Sequence, residues 1–325
     1  MTDDFPFDPA LRFGEADDEL HPPGPEHSWT ETAFWSFHVP ERSMGGWLYV
    51  AVRPNEGTVA GGAFVYDATA WLPWEALYYV FLHHQPLLAP LDLRDATLPT
   101  GVSIKCLEPG MRYAVGYRLP GRDRFTADLE FTGVIPPIPH VSGEPPFSAA
   151  SHYDQHGRIQ GTITLDGETI PVDCIAVRDR SWGPRPDVRE RDLQIGYCFA
   201  ASSAAEGFLA FTMPRPDQPA DTEHLFGGYL FRDGRVRRLR ELTRANVLDP
   251  ETGGVSQVSV EGEDEDGRRL QAAGTVRSRT VLYLGTEMAM ISSLQWQMGE
   301  GSAWGEDQSV YPNTVCRSRR LGGRR

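Results

Sequence analysis

Between residues 157 and 175 the chain alternates: Ile159, Gly161, Ile163 and Leu165 are separated by polar residues, Asp166-Gly167 follows, and Ile170, Val172 and Cys174 resume the pattern. A repeat of two places successive side chains on opposite faces of a strand. Asp-Gly supplies the positive φ that a two-residue hairpin turn needs, so the segment predicts an antiparallel hairpin. The same device recurs at residues 229–239 around Asp233-Gly234, and at residues 255–276 around Asp266-Gly267. Residues 47–53, 61–66, 102–107, 111–119 and 124–132 repeat the alternation between Gly or Pro punctuation. Residues 75–84 and 287–297 are apolar and read as either helix or strand, and long helical periodicity is otherwise scarce. Many short antiparallel strands with tight turns predict an all-β chain built as sandwiches or barrels.

A chain of 325 residues is long for one small barrel. The composition turns Pro- and Arg-rich at residues 184–191, which places a boundary near residue 187 and predicts two domains, 1–187 and 188–325. Residues 16–25 hold too much proline for helix or central strand and read as an extended leading segment, while residues 136–146 read as a rigid excursion within the first half. The acidic run at 261–266 reads as a solvated hairpin tip.

Charge excludes several functions. With 45 acidic against 31 basic side chains and a net charge of −14, the chain lacks the basic field that nucleic acid or an anionic membrane surface requires. Lys105 is the only lysine, and it lies in no glycine-rich loop. Cys106, Cys174, Cys198 and Cys316 have no CxxC spacing, which predicts buried free thiols and no structural zinc. The N-terminus has neither a basic start nor an apolar core of the kind a secretory signal carries, and no run approaches a membrane span, so a cytoplasmic protein is expected.

The most informative residues lie where the central hairpin begins and ends. It starts at His152-Tyr153-Asp154-Gln155 and leaves through Arg178-Asp179-Arg180-Ser181-Trp182-Gly183-Pro184-Arg185. A carboxylate between two guanidinium groups and followed by an aromatic ring is oriented, either as part of a site at a strand end or as an ion pair fastening the strand. Elsewhere, Trp71 and Trp74 precede His83-His84; adjacent histidines on a strand point to opposite faces and cannot share one metal, and His84 is kept as a pocket candidate. Residues 299–308, near Trp296, read as a glycine-rich, pocket-lining turn without dinucleotide or P-loop context. No GxSxG elbow, HExxH helix or coupled Cys/His motif occurs.

Over residues 152–185 the order H-Y-D-Q, G-x-I-x-G, D-G, R-D-R-S-W-G-P resembles a bacterial branch of the carotenoid 1,2-hydratase-like, or AttH-like, superfamily. The resemblance implies two lipocalin-like β-barrel domains in tandem and an apolar isoprenoid, steroid-like or polyketide substrate held without an organic cofactor in a cleft between them. It further implies that Asp179 corresponds to the aspartate opening the family's D-H-x-W-G segment, with Trp182 and Gly183 at its later positions and Arg180 where the family has histidine. Three functions are then open: a hydratase, a cyclase or isomerase on a polyene, or a non-catalytic carrier of a hydrophobic ligand. Hydration needs an acid for carbon, aromatic faces for the cation and a directed water. The expected acid is Asp179, the water-orienting groups His152 or Asp154, and the walls Trp182, Trp74 and Tyr197, with Arg180 and His84 at the substrate. No metal or cofactor, no nucleic acid and no integral membrane contact are expected; a homodimer is compatible with the reading.

Overall fold

The computed structural model describes residues 13–87, 91–140, 151–186, 194–215 and 221–321. Nearly all of the regular structure is strand. Strands β1 (Trp29–Val39), β2 (Met44–Arg53), β3 (Thr58–Tyr66), β4 (Tyr78–Pro86), β5 (Asp95–Thr97), β6 (Val102–Glu108), β7 (Arg112–Arg118), β8 (Phe125–Gly133), β9 (Ile138–His140), β10 (Ser151–Leu165) and β11 (Glu168–Pro184) form one sheet. A second set follows: β12 (Ile195–Ser203), β13 (Glu206–Pro214), β14 (Thr222–Arg232), β15 (Arg235–Leu248), β16 (Val255–Asp264), β17 (Arg269–Leu284), β18 (Glu287–Met298) and β19 (Gly301–Pro312). These eight close into a barrel in sequence order, and helix α1 (Asn313–Arg320) ends the chain.

The chain divides into two compact units, and the division is discontinuous in sequence. One unit contains Phe7–Val65 and Ala76–Pro186; the other contains Tyr66–Glu75 and Asp187–Arg325. The boundary expected near residue 187 and most of the proline-rich stretch at 136–146 lie outside the described residues.

In the first unit the sheet is open and runs β4-β3-β2-β1-β11-β10-β8-β7-β6-β5, with β9 added to β10. It curls far enough for β2 to approach β6. One face carries the core: Trp35, Phe37, Leu48, Val50, Val65, Tyr113, Phe131, Ile159 and Val172 are all buried there. Fully burying such a side chain stabilises the fold by about 1.5–3 kcal/mol, which is why the period-two pattern fixes the register. Gly157 serves that packing, because a Cβ there would collide with the Phe131 ring. Asp166 and Gly167 turn the β10–β11 hairpin with φ of 49° and 88°, and Asp233-Gly234 does the same for β14–β15 with 54° and 73°.

Both apolar stretches left open by their sequence are strands, β4 and β18. The expected glycine-rich turn at 299–308 is instead mostly β19, whose Gly305 is forced by crowding: a Cβ there would overlap the Phe199 carbonyl on β12. Glycine in that stretch signals close strand approach rather than a loop. The four cysteines are free thiols, with Cys198 buried and the others half-buried. Among the described residues no helix is long and apolar enough to cross a membrane.

Candidate active site

Strands β10 and β11 pair without a break from Ser151 opposite Trp182 to Leu165 opposite Glu168. That register puts Asp154 across from Asp179 and His152 across from Ser181. On the other side of β11, Phe34 of β1 lies across from Asp179 and Thr32 across from Ser181. All of these side chains occupy the face opposite the core. Here the polar cluster is tight: His152 Nε2 is 3.0 Å from Asp154 Oδ2, and the Thr32 and Ser181 hydroxyls are 2.7 Å apart. His140 of β9, across from His152, brings its ring to 5.9 Å from the His152 ring.

Asp179 is the chemically unusual member. Its Oδ1 is sealed from solvent and has no hydrogen-bond partner among the described residues. The residue as a whole nevertheless keeps some solvent access, while Phe34, Asp154, His152 and Ser181 around it are buried. Burial pushes its carboxyl up to about 7, opposed by the positive character of His152 and reinforced by the Asp154 charge; Arg185 and Arg180 pull weakly the other way. Desolvation therefore outweighs the neighbouring cations, and Asp179 is divided between its protonated and ionised forms near neutrality. For His152, burial works against protonation, but the charge and hydrogen bond of Asp154 and the charge of Asp179 more than offset it, so the imidazole is raised above its ordinary value.

An aromatic wall extends from this cluster. Phe34 stacks on Trp47 with centroids 4.5 Å apart, Trp47 meets Phe64 at 5.3 Å, and Phe64 stacks on Tyr79 at 5.4 Å. A second row runs from Tyr49 to Phe81 at 5.7 Å. These rings come from β1, β2, β3 and β4 and face away from the core. The sequence reading missed them, because each is one member of an ordinary alternating strand; only the cross-strand register makes them one surface.

The same alternation corrects part of the expected site. Arg178, Arg180 and Trp182 have the opposite parity to Asp179 and point to the core side of the sheet. Arg178 is buried and donates to Gln155 Oε1 at 2.7 Å and to the Tyr153 and Tyr113 hydroxyls at 3.0 Å. Arg180 donates to Glu31 Oε2 at 2.9 Å and to the Glu19 carbonyl. Trp182 stacks on the His21 ring at 3.8 Å and meets Phe13 edge-on at 5.6 Å. These residues clasp the extended leading segment; they do not line the face that carries Asp179. Of the other expected walls, Tyr197 lies in the second unit against Phe199 and Phe211, and Trp74 is 78% exposed in a 3-10 turn of that unit. His84 is exposed near the end of β4 with φ of 52°. Within its unit the structure thus unites Asp179, His152 and Asp154 and leaves Trp182, Arg180 and His84 outside their cluster, while Tyr197 and Trp74 belong to the other unit.

Ligand atoms of His152, Asp154 and Asp179 all lie within 4.8 Å of one another, so these three residues could hold a divalent cation as well as share protons. The barrel contains a different polar cluster: buried Arg244 donates to Asp307 at 2.9 and 2.7 Å and to Glu223 Oε2 at 2.7 Å, and Thr212 donates to Glu223 Oε2 at 2.6 Å. Every charge there is paired, which marks it as an internal structural network.

The model of one sequence family, described as "Domain of unknown function (DUF7064)", matches residues 14–306. No curated protein matches the chain. Among solved structures, a candidate AttH protein from Nitrosomonas europaea is 15% identical, with a TM-score of 0.58 over 95% of this chain and 99% of that one. Kievitone hydratase from Nectria haematococca is 11% identical, with a TM-score of 0.52 over 93% of each chain. CghA is 13% identical, with a TM-score of 0.52 over 88% of each. At these identities the likeness is one of fold.

Proposed function

The chain belongs to the family described as a domain of unknown function (DUF7064), and on that premise we propose that it is a hydratase for an alkene of a hydrophobic small molecule. The observation that carries this reading is Asp179: a carboxyl raised far enough to remain partly protonated near pH 7, with one oxygen unpartnered among the described residues, beside a wall of aromatic rings. The likeness in fold to kievitone hydratase supports it.

The chemistry follows from the arrangement. Asp179 gives its proton to one alkene carbon, and the π faces of Phe34 and Trp47 stabilise the carbocation left on the other. Water adds to that cation, and its surplus proton passes to His152, which Asp154 orients through their 3.0 Å contact. Return of the proton within the cluster restores Asp179 as the acid, so the net change is addition of one water and no organic cofactor takes part. The substrate class suited to such a wall is an isoprenoid, steroid-like or polyketide alkene.

The test is incubation of the full chain with unsaturated terpenoids and polyketides in H2 18O, followed by mass spectrometry. Product carrying solvent oxygen, lost in Asp179→Asn while binding survives, is the expected result. A product isomeric with its substrate and free of solvent oxygen makes the protein a cyclase or isomerase. Binding without turnover at any pH makes it a carrier.

A further inference from the structure

Arg185 has the parity of Asp179 and Ser181, six residues beyond the acid, and its side chain turns back toward them. Its guanidinium donates to the Ser181 hydroxyl and is hydrogen-bonded to the Tyr49 hydroxyl, which is also bonded to Thr32. Both Asp179 and His152 feel its charge. Among the described residues no carboxylate forms an ion pair with it, whereas Arg178, Arg180 and Arg244 all have acidic partners. A half-buried guanidinium held, among the described residues, by hydroxyls alone retains donors, charge and a fixed orientation for an anion.

We infer that Arg185, set by Ser181, Tyr49 and Thr32, is the specificity element of the site and selects substrates that carry an anionic oxygen, a carboxylate or an ionised enol, at one end of an apolar body. This rests on the reading of the Asp179 face as the substrate site. The division of labour is physical. The aromatic wall carries no positive charge, while Arg185 provides a cation with donors in one plane beside the acid. An anion docked there fixes the register of the apolar body against Asp179, so that one double bond and not its neighbours meets the proton. The ion pair also removes the guanidinium's weak pull on Asp179, which keeps the acid protonated in the complex.

The probes are cis-parinaric acid and its methyl ester, two fluorescent polyenes that differ only in the charged end, titrated into the full-length protein. The acid is expected to bind about tenfold or more tightly than the ester, the scale of a hydrogen bond to a charged group. Arg185→Met should abolish that preference with ester affinity unchanged, and Arg185→Lys should keep part of it. Ser181→Ala, which frees the guanidinium without removing its charge, should narrow the preference and provides an independent variant if Arg185→Met does not fold. Equal binding of acid and ester by the unaltered protein, or an undiminished preference in Arg185→Met, overturns the inference and leaves the hydratase reading standing. Failure of both probes to bind overturns the apolar substrate site itself, and this inference with it.

Discussion

Asp179 on β11 and Asp154 on β10 are cross-strand partners on the same face of the sheet, so the charge of one helps hold the proton of the other. Two carboxylates placed this way divide their work: one is kept as an acid, and the other is spoken for by His152.

The pH dependence of turnover follows. Asp179 acts only when protonated, and its carboxyl sits at about 7. Activity as kcat/KM is expected to fall as pH rises through that value, and Asp179→Asn should lower kcat by roughly 100-fold or more, the usual scale for a general acid. A profile still rising from pH 7 to 9 would remove Asp179 from that role.

Replacing Asp154 tests the coupling. Asp154→Asn deletes the charge that raises Asp179 and one that raises His152. The descending limb of the pH profile should therefore move to lower pH, together with the His152 titration followed by NMR. An unmoved limb would mean that the two carboxylates do not interact.

Arg180 and Trp182 face the other way, and their substitution should read out as stability. Arg180→Ala strands buried Glu31 and Trp182→Ala opens a gap against His21 and Phe13, each costing about 3 kcal/mol. Urea unfolding measures this directly. Loss of turnover by either variant at full stability would contradict the placement.

Two buried histidines on the active face make acid unfavourable. Burial lowers His38 to about 4 and His156 to about 3, against 6.5 when exposed. The unfolded chain therefore takes up protons first, and the stability associated with these neutral rings is full above pH 6.5 and lost as pH falls toward 4. The loss is on the order of 3 kcal/mol for His38. Thermal midpoints should drop less between pH 7 and 4.5 in His38→Gln and His156→Gln than in the unaltered protein; parallel curves would refute the assignment.

The cluster of His152, Asp154 and Asp179 has a spacing that one cation could bridge, and because a bound metal would displace the Asp179 proton, the roles of acid and ligand exclude each other. Protein purified with Mg2+, Mn2+ or Zn2+ present is expected to carry substoichiometric metal by mass spectrometry, and dialysis against EDTA should leave turnover unchanged. A stoichiometric ion lost together with activity would convert the acid into a ligand.

What the sequence determined by itself was local. Alternation at residues 157–175 and Asp166-Gly167 are enough to write the β10–β11 hairpin, because a period of two and a turn with positive φ admit one backbone solution. The R-D-R-S-W run drew attention to Asp179 for the same reason that it misled about Arg180 and Trp182: neighbours in sequence look like one site, but on a strand they are divided between two faces. Tertiary structure alone decided which face was which. Phe34, Trp47, Phe64 and Tyr79 became a wall through the pairing of successive strands, and the pairing of β1 with the distant β11 brought that wall to the acid. The proton on Asp179 was decided there too, since desolvation depends on what surrounds a group in space and leaves no mark in the residues beside it.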